Sequence, residues 1–246
     1  MTIARAGLLA IAVAALAFVL ACDAPEVDPR AAEAAVTVAA YETTTCSTRA
    51  VRALARQVTD EVRCLLPGAL VEIAEQDGID FTSGAVVPYL SPDARADLLA
   101  VAAAAVAGGR GVRLSSVYRT VVQQYLVRRW FELGRCDVAA AARPGRSNHE
   151  SGRAVDLAEP DLWIDAMAAH GWMHDVPGDD VHFDHPATAD HRGADVLAFQ
   201  RLWNRNQPDD PIDEDGEYSD ATAARIARAP AAGFAIGASC VDDEGL

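Results

Sequence analysis

The 246-residue chain is 51% hydrophobic and sets 36 acidic residues against 21 basic ones, every basic one an arginine, for a formal net charge of -15 at pH 7. That apolar fraction supports a packed core and excludes disorder over most of the length. An acidic chain without a basic patch excludes a nucleic-acid-binding role.

Residues 1–21 begin with one arginine, continue through an apolar run and end in small residues, the build of a secretory signal. The run is shorter than the ~20 residues a membrane span needs. Val19-Leu20-Ala21-Cys22 resembles the lipobox of bacterial lipoproteins, which implies lipidation at Cys22. Residues 22–45, small and polar, read as a tether.

Cys46, Cys64, Cys136 and Cys240 then remain, an even number in an exported chain, and two disulfides are expected. Val51, Leu54, Ala55, Val58 and Val62 recur at helical spacing behind the cap candidates Ser47 and Thr48. A helix of that length spans about 27 Å, whereas bridged Cα atoms lie within about 7 Å. Cys46 to Cys64 is therefore disfavoured, which leaves pairings with Cys136 and Cys240.

"ALVEIAE" and "FTSGAVVPYL" read as short strands around an Asp-Gly turn. Ser91, Pro92 and Asp93 open a helix that stops at Gly108. A strand at "GVRLSSVYR" leads into the helix "TVVQQYLVRRWFELG", with Val121, Tyr125, Val127, Trp130 and Phe131 turned to a core. Beyond residue 159, "PDLWIDAMAAHG" reads as a helix packing Leu162, Ile164 and Met167, and "DDVHFDH" as a short strand. Trp163 and Trp172 are core candidates. Helices alternating irregularly with isolated strands predict an α+β fold: a small antiparallel sheet flanked by helices, with a short helical C-terminal extension.

Chemistry concentrates in "SNHESGRAVDL", residues 147–157. Gly152 permits a tight turn after His149, and the alternation that follows puts Ala154 and Asp156 on one strand face, Val155 and Leu157 on the other. His182 sits in a second apolar strand, where an inward polar ring needs a partner. Two neutral histidines and one aspartate around a divalent ion leave a net charge of about +1 and an open position, which suits a zinc that acidifies water and polarises a carbonyl. Asp179 and Asp180 compete as the base, and the register to His182 favours Asp179. Ser147 reads equally as a substrate contact or a loop cap, and Glu150 as a rim charge. His170, His174, His185 and His191 read as packing or surface residues, with His185 also placed to support the site from behind.

"SSVYRTVVQQ", "SNHESGRAVD" and "DDVHF", in this order within residues 80–186, resemble the zinc D-alanyl-D-alanine carboxypeptidase and dipeptidase family, which includes the vancomycin-resistance carboxypeptidases. The resemblance implies zinc ligands at His149, Asp156 and His182, a catalytic base at Asp179, and substrate contacts from Arg119 and Gln124. It departs from the family where Asp179 replaces the frequent glutamate, and where Val181 and His185 replace a tryptophan and a tyrosine. The implied activity is metal-assisted hydrolysis of a D-alanyl bond in peptidoglycan stem peptides, in the cell envelope and with no nucleic-acid partner. The alternative is a non-catalytic peptidoglycan-binding lipoprotein that keeps the zinc site.

From residue 190, a helix carrying Val196, Leu197, Phe199, Leu202 and Trp203 is joined by an acidic loop to a helix capped by Ser219. "LAFQRLW" and "DGEYSDAT" resemble part of the peptidoglycan-binding repeat, through Phe199, Gln200, Leu202, Asp215, Gly216, Tyr218 and Thr222, with Ser219 where glycine is usual. The acidic run from Asp209 to Asp215 lacks the spacing of a calcium loop and reads as a solvated turn. The expected organisation is a signal peptide at 1–21, a tether at 22–45, a zinc peptidase domain at 46–189, and a peptidoglycan-binding-like helical extension at 190–246.

Overall fold

The computed structural model describes residues 35–75 and 78–240. The signal at 1–21, Cys22 and the first part of the tether lie outside the described residues. Among those described, no helix is long and apolar enough to cross a membrane.

The fold is α+β, as expected. Its elements run α1 (Tyr41–Thr44), α2 (Arg52–Leu65), β1 (Val71–Glu72), β2 (Ile79–Phe81), β3 (Tyr89–Leu90), α3 (Pro92–Ala107), β4 (Val112–Ser116), α4 (Val121–Glu132), β5 (Ala154–Leu157), α5 (Ile164–Ala169), β6 (His182–Asp184), α6 (Ala194–Asn206) and α7 (Asp220–Arg228). A 3₁₀ turn, Thr48–Val51, leads into α2 and is capped by the Ser47 hydroxyl, which accepts the Arg49 amide at 3.3 Å. Thr120 opens α4 with a reciprocal box: its side chain takes the Gln123 amide while Gln123 reaches back to the Thr120 amide.

β1 and β3 form a separate antiparallel pair, and the main sheet has the order β2-β4-β5-β6. β4, β5 and β6 are antiparallel neighbours, but β2 runs parallel to β4. The expectation of a wholly antiparallel sheet is corrected at this edge. The connection from β2 to β4 passes through α3, and a helical crossover returns the chain in the same direction.

One sheet face packs Leu114, Val155, Leu157 and Phe183 with Leu98, Val101 and Met167, and these side chains are all but fully buried. Each such side chain contributes about 1.5–3 kcal/mol relative to exposure. Trp163 and Trp172 belong to the same cluster. Met167 alone of its expected trio is buried; Leu162 and Ile164 are exposed, because Leu162 falls in a 3₁₀ turn and α5 spans only Ile164–Ala169. Phe131 on α4 is likewise exposed, with the Arg128 guanidinium 5.2 Å from its ring centre.

A second cluster gathers α2, α4, α6 and α7 around Leu54, Val58, Leu126, Phe199, Trp203 and Ile226. The described residues from 190 to 240 thus share a core with α2 and α4. The two halves of the repeat-like pattern meet here. Gln200 donates to Asp215 Oδ1 at 2.8 Å and accepts the Gly216 amide at 2.9 Å. Asp210 in the acidic turn pairs with Arg225 and Arg228. Buried Glu61 on α2 takes a two-point bond from Arg205 at 3.0 and 3.2 Å, and the Ser239 amide at 2.8 Å. Paired on both oxygens, this carboxylate tolerates burial.

Disulfides join Cys46 to Cys136 and Cys64 to Cys240, and the disfavoured Cys46–Cys64 pairing is absent. The end of the expected tether is part of the body. Val38 is fully buried, its amide bonds Ala229 O at 3.0 Å, and Ala231 returns a bond to Val36 O at 2.9 Å.

Gly152 adopts the left-handed conformation at φ +67°, and a Cβ there would meet Leu70 Cδ2 at 2.7 Å and the Ser91 amide at 3.0 Å. Ser91, expected to cap α3, instead sends its hydroxyl to Ser151 O at 3.1 Å, while its amide bonds Gly152 O at 2.8 Å. The turn ahead of β5 is thereby pinned to the start of α3. Gly152→Ala adds ~1–2 kcal/mol of backbone strain and ~1–3 kcal/mol of overpacking. Urea unfolding should show a loss of about 2–5 kcal/mol at an unchanged m-value.

Candidate metal centre

The site is built on the sheet face opposite the apolar one. Asp156 in β5 pairs in register with His182 in β6 on one side and with Ser116 in β4 on the other. His149 comes from the 3₁₀ turn Asn148–Ser151, which Glu150 holds in place. Glu150 Oε1 accepts the Gly145 amide at 2.7 Å and Oε2 the Ser147 amide at 2.9 Å. Glu150 is therefore not a rim charge: it is fully buried, and burial pushes its carboxyl up to about 7.

His149 Nε2, Asp156 Oδ1 and His182 Nδ1 form a triangle with every edge 3.1 Å. All three residues are buried. The second nitrogen of each ring lies against an acceptor: His149 Nδ1 is 2.7 Å from Val117 O, and His182 Nε2 is 2.9 Å from Asp184 Oδ1. Carbonyl and carboxylate oxygens only accept, so each ring donates a proton from its outer nitrogen, and a neutral ring turns its lone pair inward. Ligands about 2.0 Å from a tetrahedral zinc stand about 3.3 Å apart, and the observed triangle matches that spacing. The donor set fits a divalent cation: two imidazole nitrogens and one carboxylate oxygen, with outer partners that fix each ring.

The protonation states agree with a site organised around positive charge. Burial opposes charge on His182, but hydrogen bonds to Asp156 and Asp184 outweigh it and raise the ring to about 10. Burial, reinforced by Arg119, lowers His149. Burial also pushes Asp156 up, yet His149 and Arg119 hold its carboxyl well below the usual range. One proton thus occupies the triangle when no metal does.

Arg119 donates from Nη2 to Asp156 Oδ2 at 2.7 Å and to Ser116 Oγ at 3.0 Å, and from Nη1 to Gln124 Oε1 at 3.2 Å. Gln124 is fully buried, and its Nε2 donates to Ala142 O at 2.9 Å. Its amide therefore orients Arg119 and grips the loop after α4. Around the triangle opens a cleft of about 450 Å³ lined by Arg119, Gln124, Ser147, Asp179, His182 and Asp184, with Ala139–Ala142, Arg128 and Phe131 also on its walls. Asp179 is half-buried in it, and burial together with the Asp156 charge raises its carboxyl. Asp180 is exposed and does not line the cleft.

Two participants escaped the sequence reading. Asp184 receives His182 Nε2 and is itself held by Asn148 Nδ2 at 2.8 Å, also on Oδ1. The signal was available: residues 182 and 184, two apart on a strand, share a face. His185, on the other face, bonds Asp97 Oδ2 at 2.8 Å and sets its ring edge to Trp172, so it does not support the site. His174 stacks on Phe183, and His170 lies 4.0 Å from Asp97.

No protein-family model and no curated protein matches the chain. Among solved structures it is similar to the LdcB LD-carboxypeptidase, described with the molecular basis of its peptidoglycan recognition. The identity is 19%, the match covers 54% of this chain and 73% of the other, and the TM-score is 0.39.

Two outcomes are expected. Because the folded His182 binds its proton more tightly than the usual 6.5, the stability it confers on the metal-free protein is complete below that value and is lost as pH rises through about 10. A metal must displace that proton, so chelator competition should show affinity rising about tenfold from about pH 7 to about pH 8. An affinity flat over that range would contradict the shared proton. Asp184→Ala should weaken metal binding by about 10–100-fold in the same assay while the fold is kept.

Proposed function

We propose that the chain is a zinc-dependent peptidase of the bacterial cell envelope that hydrolyses a D-alanyl-D-alanine bond, or a related bond of peptidoglycan stem peptides. The observation that carries this reading is the convergence of His149 Nε2, Asp156 Oδ1 and His182 Nδ1 in one cleft with Arg119 and Asp179. The substrate class rests on the resemblance of "SSVYRTVVQQ", "SNHESGRAVD" and "DDVHF" to the D-alanyl-D-alanine peptidases. Export, and an anchor at Cys22, rest on the signal-like segment that ends there.

His149, Asp156 and His182 would hold the metal, with Val117 and Asp184 taking the outer proton of each ring so that both inward nitrogens could serve as ligands. Zinc in that position supplies Lewis acidity that brings a water's pKa to about 7 and polarises the scissile carbonyl. Asp179 takes the proton from the attacking water and returns it to the leaving amine. Its raised pKa suits both halves of that exchange, because a stronger base in the first step remains a competent acid in the second. Arg119, fixed by Asp156, Ser116 and Gln124, offsets the negative charge that grows on the carbonyl oxygen. Ser147 lines the cleft and also caps the turn that carries His149, its side chain taking the Glu150 amide, so what it would offer a substrate is its hydroxyl hydrogen.

Asp179→Ala should lower turnover on muropeptides by about 10²–10⁴-fold with zinc content unchanged. Metal analysis should show zinc lost in His182→Ala. Undiminished release of the C-terminal residue by Asp179→Ala would defeat the assignment of the base. Zinc bound with no muropeptide hydrolysed would favour the non-catalytic wall-binding alternative.

A further inference from the structure

A second groove lies between α4 and α7. It encloses about 470 Å³, within the ~300–1,000 Å³ range of small-molecule sites. Arg128 lines both this groove and the metal-centre cleft, so the two cavities adjoin.

Its charges are compensated from within. Arg129 bonds Glu42 Oε2 at 3.1 Å and Glu132 Oε2 at 2.8 Å, and Arg128 bonds Glu132 Oε1 at 2.8 Å. Arg143 donates to Tyr218 O at 3.1 Å and rests 5.7 Å from the Tyr218 ring centre. A strongly ionic ligand therefore gains little net attraction. What the groove presents instead is mixed: guanidinium N–H groups that exceed these partners, the Glu132 and Asp220 carboxylates, the part-exposed Tyr218 ring with the buried Tyr125 behind it, and the methyl groups of Ala223, Ala224 and Ala227 on α7. A pyranose matches that set, because its hydroxyls donate and accept around the edge while its C–H face is apolar and packs on aromatic or methyl surfaces.

We propose that this groove binds a sugar of the glycan strand whose stem peptide enters the adjoining cleft. The identity of the occupant rests on the peptidase reading; the sugar chemistry rests on the groove itself. A stem peptide is covalently carried by a sugar, so a sugar subsite beside the peptide cleft would let the chain engage both parts of one substrate.

The probe is the β-1,4-linked trimer of N-acetylglucosamine, titrated into the full chain by calorimetry and by NMR. Saturable binding is expected, weakened at least about tenfold in Tyr218→Ala, where the stacking ring is lost, and retained in Tyr218→Phe. Ala224→Trp, which fills the groove from an exposed helix position, should abolish binding and serves where Tyr218→Ala fails to fold. His182→Ala should bind the trimer as the unaltered chain does. That result separates the two readings, since sugar binding then survives loss of the metal and any failure of hydrolysis. No saturable binding by the unaltered chain, or equal binding by Ala224→Trp, overturns the proposal, as does displacement of the trimer by a sugar-free stem peptide.

Discussion

Three electron-pair donors held 3.1 Å from one another are the constraint around which the rest of the chain is arranged. Left to themselves, two imidazole nitrogens and a carboxylate oxygen at that separation repel unless something positive lies between them. The sheet forces Asp156 and His182 together by cross-strand register, and the 3₁₀ turn brings His149 over them. Val117 and Asp184 each hold a ring's outer proton, so the inward nitrogens are left to share one further proton or a metal. The fold supplies the rigidity this demands through the apolar cluster beneath the sheet and through Gly152, packed against Leu70 and Ser91.

Arg119 is the second cation in this balance. Its link to the free oxygen of Asp156 leaves the other oxygen for the triangle and divides one carboxylate between two positive partners. The partners of Arg119 come from β4, β5 and α4, so the guanidinium also couples the sheet to the helix. Asp179 has looser moorings, in the turn before β6, where its backbone carbonyl accepts the His182 amide at 3.2 Å. In the proposed reaction Asp179 exchanges protons with a substrate and benefits from that freedom, whereas the three proposed metal ligands do not.

Much of this was legible from residue order. The spacing of Leu54, Val58 and Val62, the stop at Gly108 and the cap at Ser219 marked helices that the structure contains. A glycine turn and strand alternation let His149 and Asp156 converge, while their meeting with His182 as one ligand set was what the resemblance to the D-alanyl-D-alanine peptidases implied. What escaped depended on contacts that one segment cannot reveal. The direction of β2 is decided by where α3 returns the chain. Glu150 looked like a surface charge because its partners are backbone amides, which leave no trace in residue identity. Phe131 looked like a core residue because helical spacing does not say which side of α4 faces the cleft.

The segment between α4 and the metal-binding turn has a further consequence. It is fastened at one end by the Cys46–Cys136 bridge and at the other by the Glu150 carboxylate, while Arg128 and Gln124 grip the carbonyls of Ala141 and Ala142 between them. Four successive alanines there leave the polypeptide itself as the lining. Such a surface distinguishes chain direction and handedness more readily than side-chain identity, and any enlargement of those methyls would narrow the passage beside the His149, Asp156 and His182 triangle.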